Sequence, residues 1–394
     1  MLLITLGAIL ILSPFVRGLC QRSGVPASVG YIILGLLLGS VLRSIDESAT
    51  GSNAVLETLA QLGVVTLLFR VGLKSHIGAL LDKLPDASLI WISNVVLSFA
   101  SGYFVSRYGL DWSLETSLVI ATAFSATSVA VSVSVWDEAY RLTSDQGQML
   151  VDVAELDDLS AAVLLAVLIG TLPSLMNGDG AVWLHAGSTA LLSIGKLILF
   201  VFGCYLFAVF VEGRFTRLSS RIGDSETALT ISILGAGLLI ATFADWLGFS
   251  LAIGAMFAGL AFSRDPEAVH TDGRFSDFYD LLTPFFFIHI GMQTDLATLG
   301  DAVTIGLVLF VVAALAKLIS TSLPALISMN RHDAVMLGVS MIPRAEIALV
   351  VMYECRVLDE RIVPPDVFAA MVIVSLFTCI IPPLVLRRML AQSV

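Results

Sequence analysis

Two adjacent carboxylates, Asp157 and Asp158, stand inside a largely apolar run from Met149 to Ala166 that also carries Asp152 and Glu155 nearer its start. An ionisable side chain in hydrocarbon is costly and marks a functional site by default. A hard cation such as Na⁺ wants several oxygen ligands, and a carboxylate that supplies one also binds protons. Protons and cations would then displace each other at one site, which is the chemistry of exchange. Neighbouring helical residues point about 100° apart, so one carboxylate can face an aqueous cavity while the other faces a protein partner. The plainer alternative is a pair neutralised by buried basic groups for structure alone.

A counter-charge is available in Lys317, in the middle of the run Leu307 to Thr321 and too deep to snorkel. Asp157 is its candidate partner. Lys196 lies in another apolar run and suits a linker or a dimer contact, whereas snorkelling suffices for Arg70. The segment Ala121 to Val129 carries a hydroxyl-rich patch, with Thr127 and Ser128 at mid-membrane; hydroxyls also bond back within their own helix. The segment Ser340-Met-Ile-Pro343-Arg344-Ala-Glu346 is its counterpart. Proline removes a helical hydrogen bond, so a break is expected there. Broken helices facing each other present dipole ends and free carbonyls to an ion. Arg344 and Glu346 are expected to neutralise that crossing as a structural ion pair with groups such as Glu155.

The surrounding chain sets these groups in a membrane. Hydrophobic residues make up 57% of the 394 positions and charged residues 13%, about half the charged share of a soluble domain. Apolar runs able to cross about 30 Å of hydrocarbon recur throughout. They predict thirteen helices at about 2–16, 27–43, 55–73, 86–107, 113–136, 147–173, 182–212, 226–243, 246–263, 279–294, 301–328, 333–355 and 366–388. Asp157 and Asp158 lie about ten residues into the sixth, or roughly 15 Å deep. Trp112 and Trp136 bracket the fifth, as interfacial anchors would. Thirteen loop Lys and Arg fall on the side of the C-terminus, Arg264, Arg387 and Arg388 among them, and four fall opposite: Arg43, Arg107, Arg356 and Arg361. The positive-inside rule then puts the N-terminus outside and the C-terminus in the cytoplasm.

An odd number of helices permits six, a linker and six more, the inverted-repeat plan of many secondary transporters. No cleavable leader is expected, because the first apolar run passes into a basic loop. Cys20, Cys204, Cys355 and Cys379 are scattered, which argues against a disulfide framework or a zinc site. The net charge of −11 argues against a nucleic-acid partner.

Several segments, in order, resemble the monovalent cation:proton antiporter superfamily, in particular its second branch with the NapA-type and Kef-type exchangers. They are Val29-Gly30-Tyr31 through Gly39, Gly63 to Phe69, Leu247-Gly248 through Leu260, Pro284 to Met292, and Met341-Ile-Pro343-Arg344-Ala345-Glu346. With Asp157-Asp158 they cover most of the chain. The resemblance implies that Asp158 is the ion- and proton-binding carboxylate and that Asp157 pairs with Lys317. It also implies that Thr127 and Ser128 line the crossing. A paired aspartate looks like the electrogenic sodium/proton exchangers, which favours Na⁺ or Li⁺ over K⁺. Ala345 departs from the pattern, since a glycine is usual there. Arg70, Lys74 and Glu155 are also unusual. No nucleotide-binding domain follows Val394, so Kef-type ligand gating is either absent or lost by truncation.

The expected protein is an all-α polytopic membrane protein of the NapA/NhaA-like fold, with two inverted repeats and crossed broken helices. It is read as a single transmembrane domain over 1–394, in which 86–173 and 301–388 form an ion-binding core and the remainder a dimerising scaffold. The expected function is secondary active exchange of Na⁺ or Li⁺ (possibly K⁺) for protons across the cell (inner) membrane. The protein would be a homodimer without enzymatic activity, and would use no cofactor beyond the transported ions. A Kef-type K⁺/H⁺ exchanger and a Na⁺-coupled organic-anion symporter are the alternatives. An intramembrane aspartyl protease needs aspartates converging from separate helices, whereas these are adjacent on one.

Overall fold

A computed structural model describes residues 2–45, 54–75, 77–128, 130–176, 182–222, 226–263, 272–294 and 296–392. Val129 and Arg264 lie outside them, as do the side chains of Lys83, Arg221 and Arg274. No strand occurs among the described residues. In hydrocarbon a backbone has no water to bond, so a helix, which satisfies its own amides, is the economical solution.

The helices are α1 (Leu2–Ser23), α2 (Ala27–Ile45), α3 (Ala54–Lys74), α4 (Ile77–Phe104), α5 (Leu114–Ser125), α6 (Ala130–Glu138), α7 (Asp145–Met176) and α8 (Val182–Leu206). They continue as α9 (Glu212–Ile222), α10 (Glu226–Trp246), α11 (Leu251–Phe262), α12 (Asp272–Gln293), α13 (Leu296–Ala325), α14 (Arg331–Ser340), α15 (Glu346–Leu358) and α16 (Pro365–Gln392). Nine helices among the described residues are long and apolar enough to cross a membrane. The fifth and twelfth expected spans escape that criterion because each is two short helices, α5 with α6 and α14 with α15. The seventh contains a π-helical turn, Phe207–Val211, and runs on past its expected end as amphipathic α9. Large apolar side chains such as Phe15, Leu199 and Leu239 face outward, as a hydrocarbon solvent allows.

The chain divides into two compact units. One comprises residues 1–10, 51–79 and 165–289. Its core forms where α3 and α11 run against each other, with Phe69, Phe262 and Phe275 at the centre. The Phe69 ring lies tilted against those of Phe262 and Phe275, with centroids 6.1 and 5.3 Å away. The approach of these two helices is set by glycine. A Cβ on Gly72 would lie 1.9 Å from the Met256 carbonyl oxygen, and one on Gly259 would lie 2.0 Å from that of Phe69. In the same unit Lys196 is exposed and donates to the Leu247 carbonyl at 3.2 Å, just past the end of α10. Arg70 lies over the ring of Tyr279 at 4.5 Å.

The other unit comprises residues 11–50, 80–164 and 290–394. Within it α13 packs along α16 and α14, and α5 packs on α15. Trp136 is fully buried here and donates through Nε1 to Ser340 Oγ at 2.9 Å. It is therefore no interfacial anchor. The Ser340 hydroxyl at the end of α14 receives the indole while itself donating to the Met336 carbonyl at 2.8 Å.

Either Gly72→Val or Gly259→Val is expected to lower the melting temperature in detergent, at a cost above the about 1–3 kcal/mol of ordinary overpacking, because the added atoms meet backbone. Gly195→Ala, whose Cβ would meet open space, should leave melting unchanged or slightly raised. Heating followed by size-exclusion chromatography reads both.

Candidate functional site

The site grows from the two broken helices. α5 stops at Ser125, where Ala126 turns extended, and α6 restarts at Ala130. α14 stops at Ser340, and α15 restarts at Glu346. The two gaps are joined by main chain, the Ser128 amide donating to the Pro343 carbonyl at 2.8 Å. Ser132 Oγ donates to the Ser340 carbonyl at 2.6 Å, satisfying one freed acceptor of α14. Ala345 has φ −137°, outside the left-handed region, so alanine fits where the resemblance expected glycine.

Ending a helix in mid-chain leaves carbonyls without amide partners and concentrates the negative end of its dipole. At the end of α5 both needs are met by buried cations. Lys317 Nζ donates to the Ser125 carbonyl at 2.7 Å. Arg344 Nη1 donates to the carbonyls of Phe124 and Ala126, the latter at 2.8 Å, while Nη2 reaches that of Ala313 at 3.4 Å. Its guanidinium also lies 4.9 Å from the centre of the Phe124 ring. The sequence reading paired Arg344 with acids; the structure spends the guanidinium on main chain. Its rigid fork of donors matches clustered carbonyls. Glu346 stands at the start of α15, the positive end of that half-helix, and accepts from Ser128 Oγ. Arg344 thus serves the end of α5 and Glu346 the start of α15.

The two aspartates are held differently. Asp157 is fully buried, and three donors fix it: Lys317 Nζ at 2.7 Å and Thr127 Oγ1 on Oδ2, and Asn94 Nδ2 at 2.9 Å on Oδ1. The Lys317–Asp157 pair is wholly removed from solvent. Asp158, the next residue, is half-buried, and its Oδ1 is buried without a hydrogen-bond partner. Such a carboxylate is suited to a proton or a cation, which brings its own positive charge. Among the described residues no group of three or more His, Cys, Asp or Glu has the arrangement of a resident metal centre.

The structure brings together Asp157, Lys317 and Thr127, and separately Ser128, Glu346 and the Pro343 carbonyl. Asn94 escaped the sequence reading, as did the hydroxyls of Ser320 and Thr321 that donate to its Oδ1 at 3.2 and 3.3 Å. Thr378, which accepts from the Arg344 amide at 3.1 Å, was missed as well. The available signal was an asparagine in the apolar run Leu89 to Leu97 of α4.

A family model described as "Sodium/hydrogen exchanger, transmembrane" matches residues 7–392. The chain is 25% identical over 369 residues to the Na(+)/H(+) antiporter of Enterococcus hirae, covering 93% of this chain and 92% of that one. It is 27% identical over 388 residues to the Na(+)/H(+)-K(+) antiporter GerN of Bacillus cereus, covering 96% and 94%. Its fold matches that of the sodium proton antiporter MjNhaP1 from Methanocaldococcus jannaschii with a TM-score of 0.72. That match has 17% identity and covers 97% of this chain and 94% of the other.

Replacing Arg344 by Met would keep the bulk and strand the carbonyls of Phe124 and Ala126. Each charged hydrogen bond lost contributes about 1.5–3 kcal/mol, so thermal unfolding in detergent should show a large loss of stability. A melting temperature equal to that of the parent protein would show that the carbonyls do not depend on the guanidinium.

Proposed function

The chain belongs to the sodium/hydrogen exchanger family, and we propose that it is a multi-pass secondary active antiporter in which a monovalent cation and protons compete for Asp158. One observation carries the assignment. Asp157 is saturated with donors, whereas its neighbour keeps a buried oxygen with no hydrogen-bond partner. A carboxylate already holding an ammonium, a hydroxyl and an amide has little left to offer an ion.

The coupling follows from charge. Lys317 offsets Asp157, Arg344 serves the carbonyl end of α5, and Asp158 Oδ1 is left without a hydrogen-bond partner. Moving an uncompensated carboxylate through a low-dielectric barrier is costly. The carrier therefore moves only when Asp158 holds a proton or a cation, which makes exchange obligatory. Na⁺ or Li⁺ is the favoured cation. GerN, whose name carries potassium beside sodium, keeps K⁺ as the second reading. Exchange is electrogenic in this reading, on the strength of the paired aspartates Asp157 and Asp158.

Alternating access is assigned to an elevator-like movement of the core helices in 86–173 and 301–388 against a scaffold that forms a homodimer. The two groups of helices would be inverted repeats, with helix breaks in corresponding places. Loop charge supports an outside N-terminus and a cytoplasmic C-terminus in the cell membrane.

Proteoliposomes loaded in turn with Na⁺, Li⁺ and K⁺, read for proton flux and membrane potential, test this function. Asp158→Asn should abolish exchange with little change in folding, since Oδ1 has no hydrogen bond to lose. Full exchange in that variant would remove Asp158 from the mechanism.

A further inference from the structure

We propose that Asn94 is a positioning residue, which pins Asp157 beside Lys317 and so confines the competition between cation and proton to Asp158. The proposal rests on the antiport reading above and adds a residue to it. Asn94 is fully buried on α4. Its side chain joins three helices, donating through Nδ2 to Asp157 on α7 and accepting through Oδ1 from Ser320 and Thr321 on α13.

The direction of these bonds is fixed by chemistry. An ionised carboxylate only accepts, and a hydroxyl can donate, so the amide has one orientation that satisfies all its partners. Ser320 and Thr321 lie one turn beyond Lys317 on the same helix. The element that carries the ammonium therefore also orients the amide that holds its counter-ion. Lys317 and Thr127 share Asp157 Oδ2, and among the described residues Asn94 alone holds Oδ1. Without it, Oδ1 would be buried with no donor. The carboxylate would then turn about its side chain, and the field it lends to Asp158 would weaken.

Asn94→Leu keeps the volume and removes both functions of the amide. In proteoliposomes its apparent KM for Na⁺ should rise at least about threefold, the size of a modest coupling between neighbours. Asp157→Asn supplies the control that separates positioning from packing. If Asn94 acts through the Asp157 carboxylate, adding Asn94→Leu to Asp157→Asn should leave KM where the single Asp157→Asn variant puts it. An unchanged KM in Asn94→Leu, or the same fold-change on both backgrounds, would overturn the proposal.

Thermal unfolding of the four detergent-purified proteins reads the same cycle without transport. Asn94→Leu should lower the melting temperature clearly when Asp157 is present and much less when residue 157 is asparagine. Equal losses on both backgrounds would contradict the pinning. Should the parent protein exchange no cation, the antiport reading fails while the unfolding cycle still decides whether Asn94 holds Asp157.

Discussion

The arrangement depends on a buried cation placed at the end of a broken helix. Stopping α5 at Ser125 leaves carbonyls that neither amides nor water can satisfy inside a membrane protein. Lys317 and Arg344 satisfy them, and that choice dictates the rest. A buried ammonium demands a carboxylate, which Asp157 supplies at 2.7 Å. A buried carboxylate demands donors for its remaining lone pairs, which Thr127 and Asn94 supply. Each group is tolerable only because the next is present, so the cluster behaves as a unit. Removing one partner of a buried ion pair typically costs about 3–5 kcal/mol, because an uncompensated charge remains.

That closed ledger of partners gives the neighbouring carboxylate its meaning. Asp158 shares a helix and a depth with Asp157 but not its donors. The turn of about 100° between consecutive helical residues sends one toward α13 and leaves the other half-buried. The proposed exchange thus falls where compensation is incomplete, beside a group held by three donors. The broken helices contribute twice: their ends create the demand for Lys317 and Arg344, and the opposing start of α15 receives Glu346. All of these residues fall within a single compact unit of the chain.

Much of this was legible in the residue order, for identifiable reasons. Lysine and aspartate in long apolar runs announce themselves by their cost, and Pro343 announces a helix end. The all-helical membrane fold followed from composition. Other features depend on contacts between distant segments and leave little local trace. Arg344 was expected to seek a carboxylate, because sequence displays charges and hides free carbonyls. Trp136 was read as an interfacial anchor because a continuous fifth span would put it at the membrane edge. The break that begins at Ala126 has no proline to announce it, and Trp136 beyond it is fully buried. Asn94 carries no charge, so nothing in its own segment shows that its amide meets Asp157 across 63 positions of sequence.

The central claim is that one carboxylate trades protons for cations. The direct measurement is proton release from the purified, detergent-solubilised protein on addition of Na⁺ or Li⁺ in weak buffer, followed with a pH indicator. Release should saturate with cation concentration and vanish in Asp158→Asn while persisting in Arg361→Gln, a change at an exposed loop. Saturable cation binding without proton release, or release that survives loss of the Asp158 carboxylate, would contradict the account.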